Sequence, residues 1–343
     1  MCKLLVMLLC IHHFFFKMED PFIPFIQELD KFHAYPNVFK FISRTLFVLF
    51  TMTLMFNIKV RTSAIVIGLI VLMTTLASKP MFYNHVVICG CALFLAGLTN
   101  HKQPPYLLIY QLSIVYLGAA LNKSLDPDWW SGAFMDNWLG VARQNHLYLK
   151  TSQHFAEMST AKFLSAVAIS TEFLIGILLL FKKTRNFAVW FIIIFHVGLF
   201  TLTSFRFGHF IESLIIILLA FLNFPKGQMI VHFNSKTMSG LKKFMTLLDV
   251  DKKQQWLPND TENTHWLTLE TNQNTYTNHE ALKNLMLYTP NFYTLLLFSD
   301  ILIYCILYNE RALLFQVNVI FAWIFILYLF PFHQIYKFRK HHL

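Results

Sequence analysis

Residues 110–132 read Tyr-Gln-Leu-Ser-Ile-Val-Tyr-Leu-Gly-Ala-Ala-Leu-Asn-Lys-Ser-Leu-Asp-Pro-Asp-Trp-Trp-Ser-Gly. The run is uncharged up to Lys123 and carries the small residues Gly118, Ala119 and Ala120 just before it. Asp126, Pro127 and Asp128 then break the pattern, and Trp129 and Trp130 follow. An apolar helix that ends on a lysine beside paired tryptophans is the mark of a membrane span reaching the bilayer interface. That reading sets the fold class, and the flanking sequence repeats it.

Moving outward, apolar stretches recur at 41–57, 63–78, 84–99, 104–122, 160–181, 187–205 and 207–224, with two more at 291–308 and 312–331. Of the 343 residues 56% are hydrophobic and only 13% charged, against about 25% charged in soluble domains. Such a balance excludes disorder, a fibrous protein and an ordinary soluble enzyme, and it requires the bilayer as a second solvent. The net charge of +10 is expected of cytoplasmic loops in a membrane protein, so nucleic acid is not indicated. The sequence therefore predicts an all-α polytopic membrane protein of about nine transmembrane helices.

Loop charges orient it. One side collects Lys59, Arg61, Lys102, Lys182, Lys183, Arg185, the segment from Lys226 and the tail Lys337, Arg339, Lys340. The positive-inside rule makes that side cytoplasmic, with the N-terminus outside; Lys31, Lys40 and Arg44 dissent. Residues 1–34 form an N-terminal segment whose first 17 residues resemble a poor signal peptide, with Met18 an alternative start, and they are left out of the fold argument. Cys2, Cys10, Cys89, Cys91 and Cys305 form no C-x-x-C and read as membrane thiols.

Hydrophobicity collapses over 226–290. Met229–Phe233 suits a strand, Leu241, Phe244, Met245, Leu247 and Leu248 recur at helical spacing, and Trp266–Leu269 alternates like a strand. A turn at Asn272–Asn274 leads to a helix from His279 to Tyr288, with Asn278 as cap and Pro290 as stop. This is a small α/β insert between a core at 35–225 and the terminal region 291–343.

Ionisable groups inside spans are expensive and are functional candidates by default. Lys123 leads. A partly desolvated lysine can act as a base, and the alternative is a snorkelling lysine paired with Asp126 or Asp128. Glu172 and His196 lie in adjacent spans and can pair or relay protons. His209 and Glu212, three residues apart, share a helix face, but two ligands are too few for a metal site. Arg206 and Asp300 complete the set. Segment 123–159, with Trp129, Trp130 and Trp138, reads as an interfacial belt or a short helix at the headgroups.

Val115–Gly132 resembles the signature of the vitamin K-dependent γ-carboxylase superfamily, whose bacterial membrane core is the horizontally transferred transmembrane domain, HTTM. Glu172 matches a carboxylate of the next span, Phe195-His196 an aromatic–His pair, Phe205–Pro225 the last core helix, and Ser43-Arg44 the start of the first span. The resemblance covers 35–225. It implies that Lys123 is the base that deprotonates a vitamin K-type hydroquinone, with Glu172 and His196 in catalytic support. Tyr116, Trp129, Trp130, His209 and Glu212 are expected to line the quinone site. Ser124 is an insertion and Asn122 stands where animal enzymes have a second lysine. No large peptide-binding domain is present, so a quinone or lipid pocket is expected rather than peptide carboxylation.

The insert resembles the DCC-type thiol–disulfide oxidoreductases, with Thr237 and Gly240 at the two cysteine positions. That resemblance implies a thioredoxin-like module without dithiol chemistry. Together these readings give a membrane enzyme using a reduced quinone, in contact with the bilayer, with the module cytoplasmic and open to a protein partner. A bacterial plasma membrane is the expected location. The alternative is a non-enzymatic membrane scaffold or partner subunit. Paired spans broken by Gly or Pro, the mark of many transporters, are absent.

Overall fold

A computed structural model describes residues 1–99, 105–203, 208–221, 225, 227–249, 252–259, 265–272, 274–289, 291–292 and 295. The described residues fall into two units, one ending at Phe221 and one beginning after it.

In the first unit, α1 (Cys2–Ile11) and the single turn α2 (Phe14–Lys17) precede a 3-10 helix at Gln27–Ala34. Then come α3 (Pro36–Met55), α4 (Val60–Ala77), α5 (Asn84–Leu98) and α6 (Tyr106–Leu125). Short elements follow: α7 (Pro127–Ser131), α8 (Ala133–Met135), a π-helical stretch at Asp136–Ala142, and α9 (His146–Ser152). The unit closes with α10 (Ser159–Leu180), α11 (Arg185–Leu202) and α12 (Gly208–Leu218), the last continuing as a 3-10 turn to Phe221. Apolar runs in water-free surroundings become helices because a helix satisfies its own backbone, so the predicted stretches up to 224 coincide with helices to within a few residues.

The count of crossings is corrected. Three described helices, α3, α4 and α10, are long and apolar enough to span a membrane. Stretch 84–99 folds as the 15-residue α5, and the described part of 207–224, residues 208–221, forms the 11-residue α12 with its 3-10 turn. Helix α6 has 20 residues but carries Gln111, Asn122 and Lys123, which dilute its apolar length. The stretches 291–308 and 312–331 lie outside the described residues, except 291, 292 and 295. A nine-span protein is therefore not what the described helices support.

The first 17 residues, left out of the sequence argument, are part of the core. Leu5, Leu8 and Leu9 of α1 are fully buried, where the helix meets α5 and α12. Two charges that dissented from the orientation rule have local partners: Lys40 pairs with Asp20 at 2.7 Å, and Arg44 donates to the Met18 carbonyl at 2.8 Å.

Helices α6 and α10 run antiparallel in close contact. A Cβ on Gly176 would sit 2.6 Å from Leu117 Cγ, and Ser113 Oγ donates to the Gly176 carbonyl at 2.7 Å. The small residue that permits this approach is Gly176; Gly118 faces open space.

The second unit is a four-stranded sheet of order β2-β1-β3-β4, made of β1 (Met229–Phe233), β2 (Gln254–Pro258), β3 (Leu267–Glu270) and β4 (Thr275–Thr277). Strand β1 pairs parallel to β2, and α13 (Ser235–Leu248) supplies the crossover a parallel pair requires. Strand β3 runs antiparallel to both β1 and β4, and α14 (Asn278–Leu287) follows. Met229, Val231 and Phe233 alternate into the core, meeting Leu267 and Leu269 there. Asn234 caps α13, its Oδ1 accepting from the Lys236 and Thr237 amides. Asn278 does not cap α14: the cap position is Thr277, while Asn278, at φ +51°, accepts the Trp266 amide at 3.0 Å.

Candidate functional site

One cavity of the first unit measures about 870 Å³ and is walled by α5, α6, α10, α11, α12 and the tryptophan segment. Its polar groups come from Gln111, Tyr116, Lys123, Glu172 and His196, with His85 and His209 also in the wall.

Helix geometry aims Lys123 and Glu172 at each other. Starting from the Ser113–Gly176 contact, Lys123 lies ten residues along α6, about 15 Å, and Glu172 four residues along α10, about 6 Å. Cα–Cβ bonds tilt toward a helix N-terminus. In an antiparallel pair Lys123 therefore leans back toward the contact and Glu172 leans out toward Lys123. The Nζ atom donates to both carboxylate oxygens, at 2.7 and 2.5 Å, and stands 5.2 Å from the Trp129 ring centroid. Neither expected partner is used: Asp126 Oδ1 instead accepts the Asp128 amide at the start of α7. Pairing of Glu172 with His196 is likewise corrected. His196 Nε2 is 2.7 Å from the Tyr116 hydroxyl, because Tyr116 sits two turns below Lys123 on the cavity side of α6.

The tryptophan segment is only partly an interface. Trp129 is buried, packs with Met135, Leu139, Tyr148 and Ala161 against α10, and stacks on Phe134 at 4.4 Å. Gly132 makes this possible: its φ is +84°, and a Cβ there would lie 2.9 Å from the Lys162 amide nitrogen. Trp130, an expected ligand contact, is 55% exposed and lies outside the cavity wall, its indole donating to the Ser124 carbonyl at 2.7 Å. Asp136, in the π-helical stretch, accepts from the Tyr148 hydroxyl at 2.6 Å. Burial, and then the Asp136 carboxylate, raise the Tyr148 hydroxyl above its ordinary range.

His209 and Glu212 are 3.4 Å apart on α12. His209 reaches the cavity wall and Glu212 does not; its other partner is His12, 3.1 Å away. Sequence reasoning missed His12, His85 and Gln111. Gln111, as a buried amide in an apolar span, was the detectable one. Arg206 and Asp300 lie outside the described residues.

Apolar helices around a cavity with a few buried polar groups define the class: an integral membrane protein. Residues 102–224 match the HTTM domain. The match takes in Lys123, Glu172, His196 and Glu212 and leaves His12 and His85 outside it. No curated protein and no solved structure matches the chain.

Proposed function

We propose that this protein binds a reduced quinone of the vitamin K type, or a similar lipid, in the cavity, and that Lys123 with Glu172 accepts a proton from it. The observation that carries this reading is the Lys123–Glu172 pair in the cavity wall beside the Trp129 ring. The residues fit such a ligand. The volume falls within the range of roughly 300–1,000 Å³ common for small-molecule sites. Two buried polar atoms in the wall, Gln111 Oε1 and His196 Nδ1, have no protein partner among the described residues.

When bound, a hydroquinone supplies an acidic hydroxyl and two electrons for reaction with oxygen. Trp129 and Tyr116 offer flat apolar surface to a ring. Lys123 Nζ donates to both Glu172 oxygens, so Nζ can accept the hydroxyl proton only when the proton it shares with the pair lies on the carboxylate. The cavity wall is rich in aromatic rings, among them Phe134, Trp138, Phe195 and Phe210.

The orientation, with the sheet unit cytoplasmic, belongs to the same proposal and is supported by loop charge; a bacterial plasma membrane is supported by the Phe-, Ile-, Lys- and Asn-rich composition. The order β-α-β then β-β-α supports the thioredoxin-like reading of the insert. A second reading, a scaffold for a protein partner, is favoured by Phe244 and Leu247, exposed on α13.

The test places the full chain in lipid nanodiscs with menaquinol or vitamin K hydroquinone and oxygen, and follows quinone epoxide by mass spectrometry. Lys123→Ala and Lys123→Arg should both abolish it. Unchanged turnover in both variants removes Lys123 from the chemistry.

A further inference from the structure

Three imidazoles and one carboxylate meet at one end of α12, drawn from three separate helices. His12 follows the last turn of α1, His85 opens α5, and His209 and Glu212 lie on α12. His12 Nε2 is 3.1 Å from Glu212 Oε2, and His209 Nδ1 is 3.4 Å from the same oxygen. One ligand atom from each of these three residues lies within 4.8 Å of the others. The His12 and His209 rings are 3.8 Å apart, and the His85 ring is 5.2 Å from the first and 5.5 Å from the second.

These spacings suit a shared ion. Two donors each about 2.0–2.1 Å from zinc, at the tetrahedral angle, lie about 3.3 Å from one another. The alternative is a hydrogen-bonded cluster in which one carboxylate serves two rings. A divalent ion uses the same neutral rings as ligands, and Glu212 offsets half its charge. Two histidines and one carboxylate are the ligand set of catalytic zinc sites and of non-haem ferrous sites, both of which keep a position open.

We propose that His12, His209 and Glu212 bind a divalent transition-metal ion of the zinc or ferrous class, with His85 positioning the two rings it touches. His85 and His209 also line the cavity that holds Lys123 and Glu172. The inference does not rest on the quinone reading, because its readout is metal content.

The experiment uses the full chain purified in detergent without a polyhistidine tag, stripped with a chelator, and dialysed against zinc alone. Bound zinc is measured by plasma mass spectrometry, and cobalt substitution reports coordination from its visible bands. About one equivalent per chain is expected. The His209 side chain is 54% exposed, so His209→Ala removes a ligand without opening the core. His209→Ala and Glu212→Gln should each weaken zinc binding by more than the roughly 10- to 100-fold that loss of an outer-shell partner costs. Thermal melts of the stripped proteins check that both variants fold. No zinc retained by the wild-type chain, or equal retention by folded His209→Ala and Glu212→Gln, overturns the proposal.

Discussion

Lys123 Nζ and the Glu172 carboxylate, 49 residues apart in the chain, are joined by two hydrogen bonds across the α6–α10 contact. The side chains retain only 20% and 11% exposure, so each is the other's main source of charge compensation. Lys123→Met should destabilise the protein by about 3 kcal/mol, because it strands a carboxylate in apolar surroundings. Lys123→Met combined with Glu172→Leu should recover most of that loss. Thermal unfolding in lipid nanodiscs measures both. Additive losses in the double variant would show that the pair is not coupled.

Gly132 holds the tryptophan segment onto α10. Gly132→Ala should cost at least about 1–2 kcal/mol from the left-handed backbone alone, and more because the new methyl meets the Lys162 amide nitrogen. A lower melting temperature with increased accessibility of Trp129 to an aqueous fluorescence quencher is the expected result. A melting temperature equal to wild type would mean the segment is free to shift.

Tyr116 and His196 satisfy each other inside the cavity. Tyr116→Phe leaves a buried ring nitrogen without its partner, and about 1–3 kcal/mol of stability should be lost. The same change should weaken quinol binding, read by titration in nanodiscs. Full stability and full affinity together would remove the dyad from the site.

Tyr148 sets a pH dependence outside the spanning helices. Its hydroxyl is raised in the folded protein by burial and by Asp136, while the unfolded chain ionises near about pH 10. The stability it contributes is therefore fully present below about pH 10 and is lost as pH rises through the higher folded value. Tyr148→Phe should lower stability by about 2 kcal/mol at neutral pH and flatten the alkaline decline. Melts from pH 8 to 11, compared between the two proteins, test this; parallel curves would exclude the role.

The sequence by itself determined the long helices α3, α4, α5, α6, α10, α11 and α12 of the first unit, the strands β1 and β3, and the helices α13 and α14. Apolar runs and two-residue alternation are local properties, and local properties survive without knowledge of neighbours. Strand β2, Gln254–Pro258, escaped because it is a polar, half-exposed edge whose partner, β1, lies across a whole helix. The number of membrane crossings also escaped, since hydropathy does not say that α5 ends after 15 residues.

At the site, Lys123, Glu172, His196, Tyr116 and Trp129 could be named from the chain, because charge, imidazole and paired aromatics stand out in apolar surroundings. Their partners could not. Glu172 rather than Asp126 holds Lys123 because the antiparallel α6–α10 contact, enabled by Gly176, leans both side chains together. Trp130 turned outward while Trp129 turned in, a choice made by the left-handed turn at Gly132. His12, 200 residues from Glu212, became a neighbour only when α1 packed against α12. Hydrophobic burial pulls a helix into the core without regard to sequence separation, and only the tertiary structure decides which polar groups it carries with it.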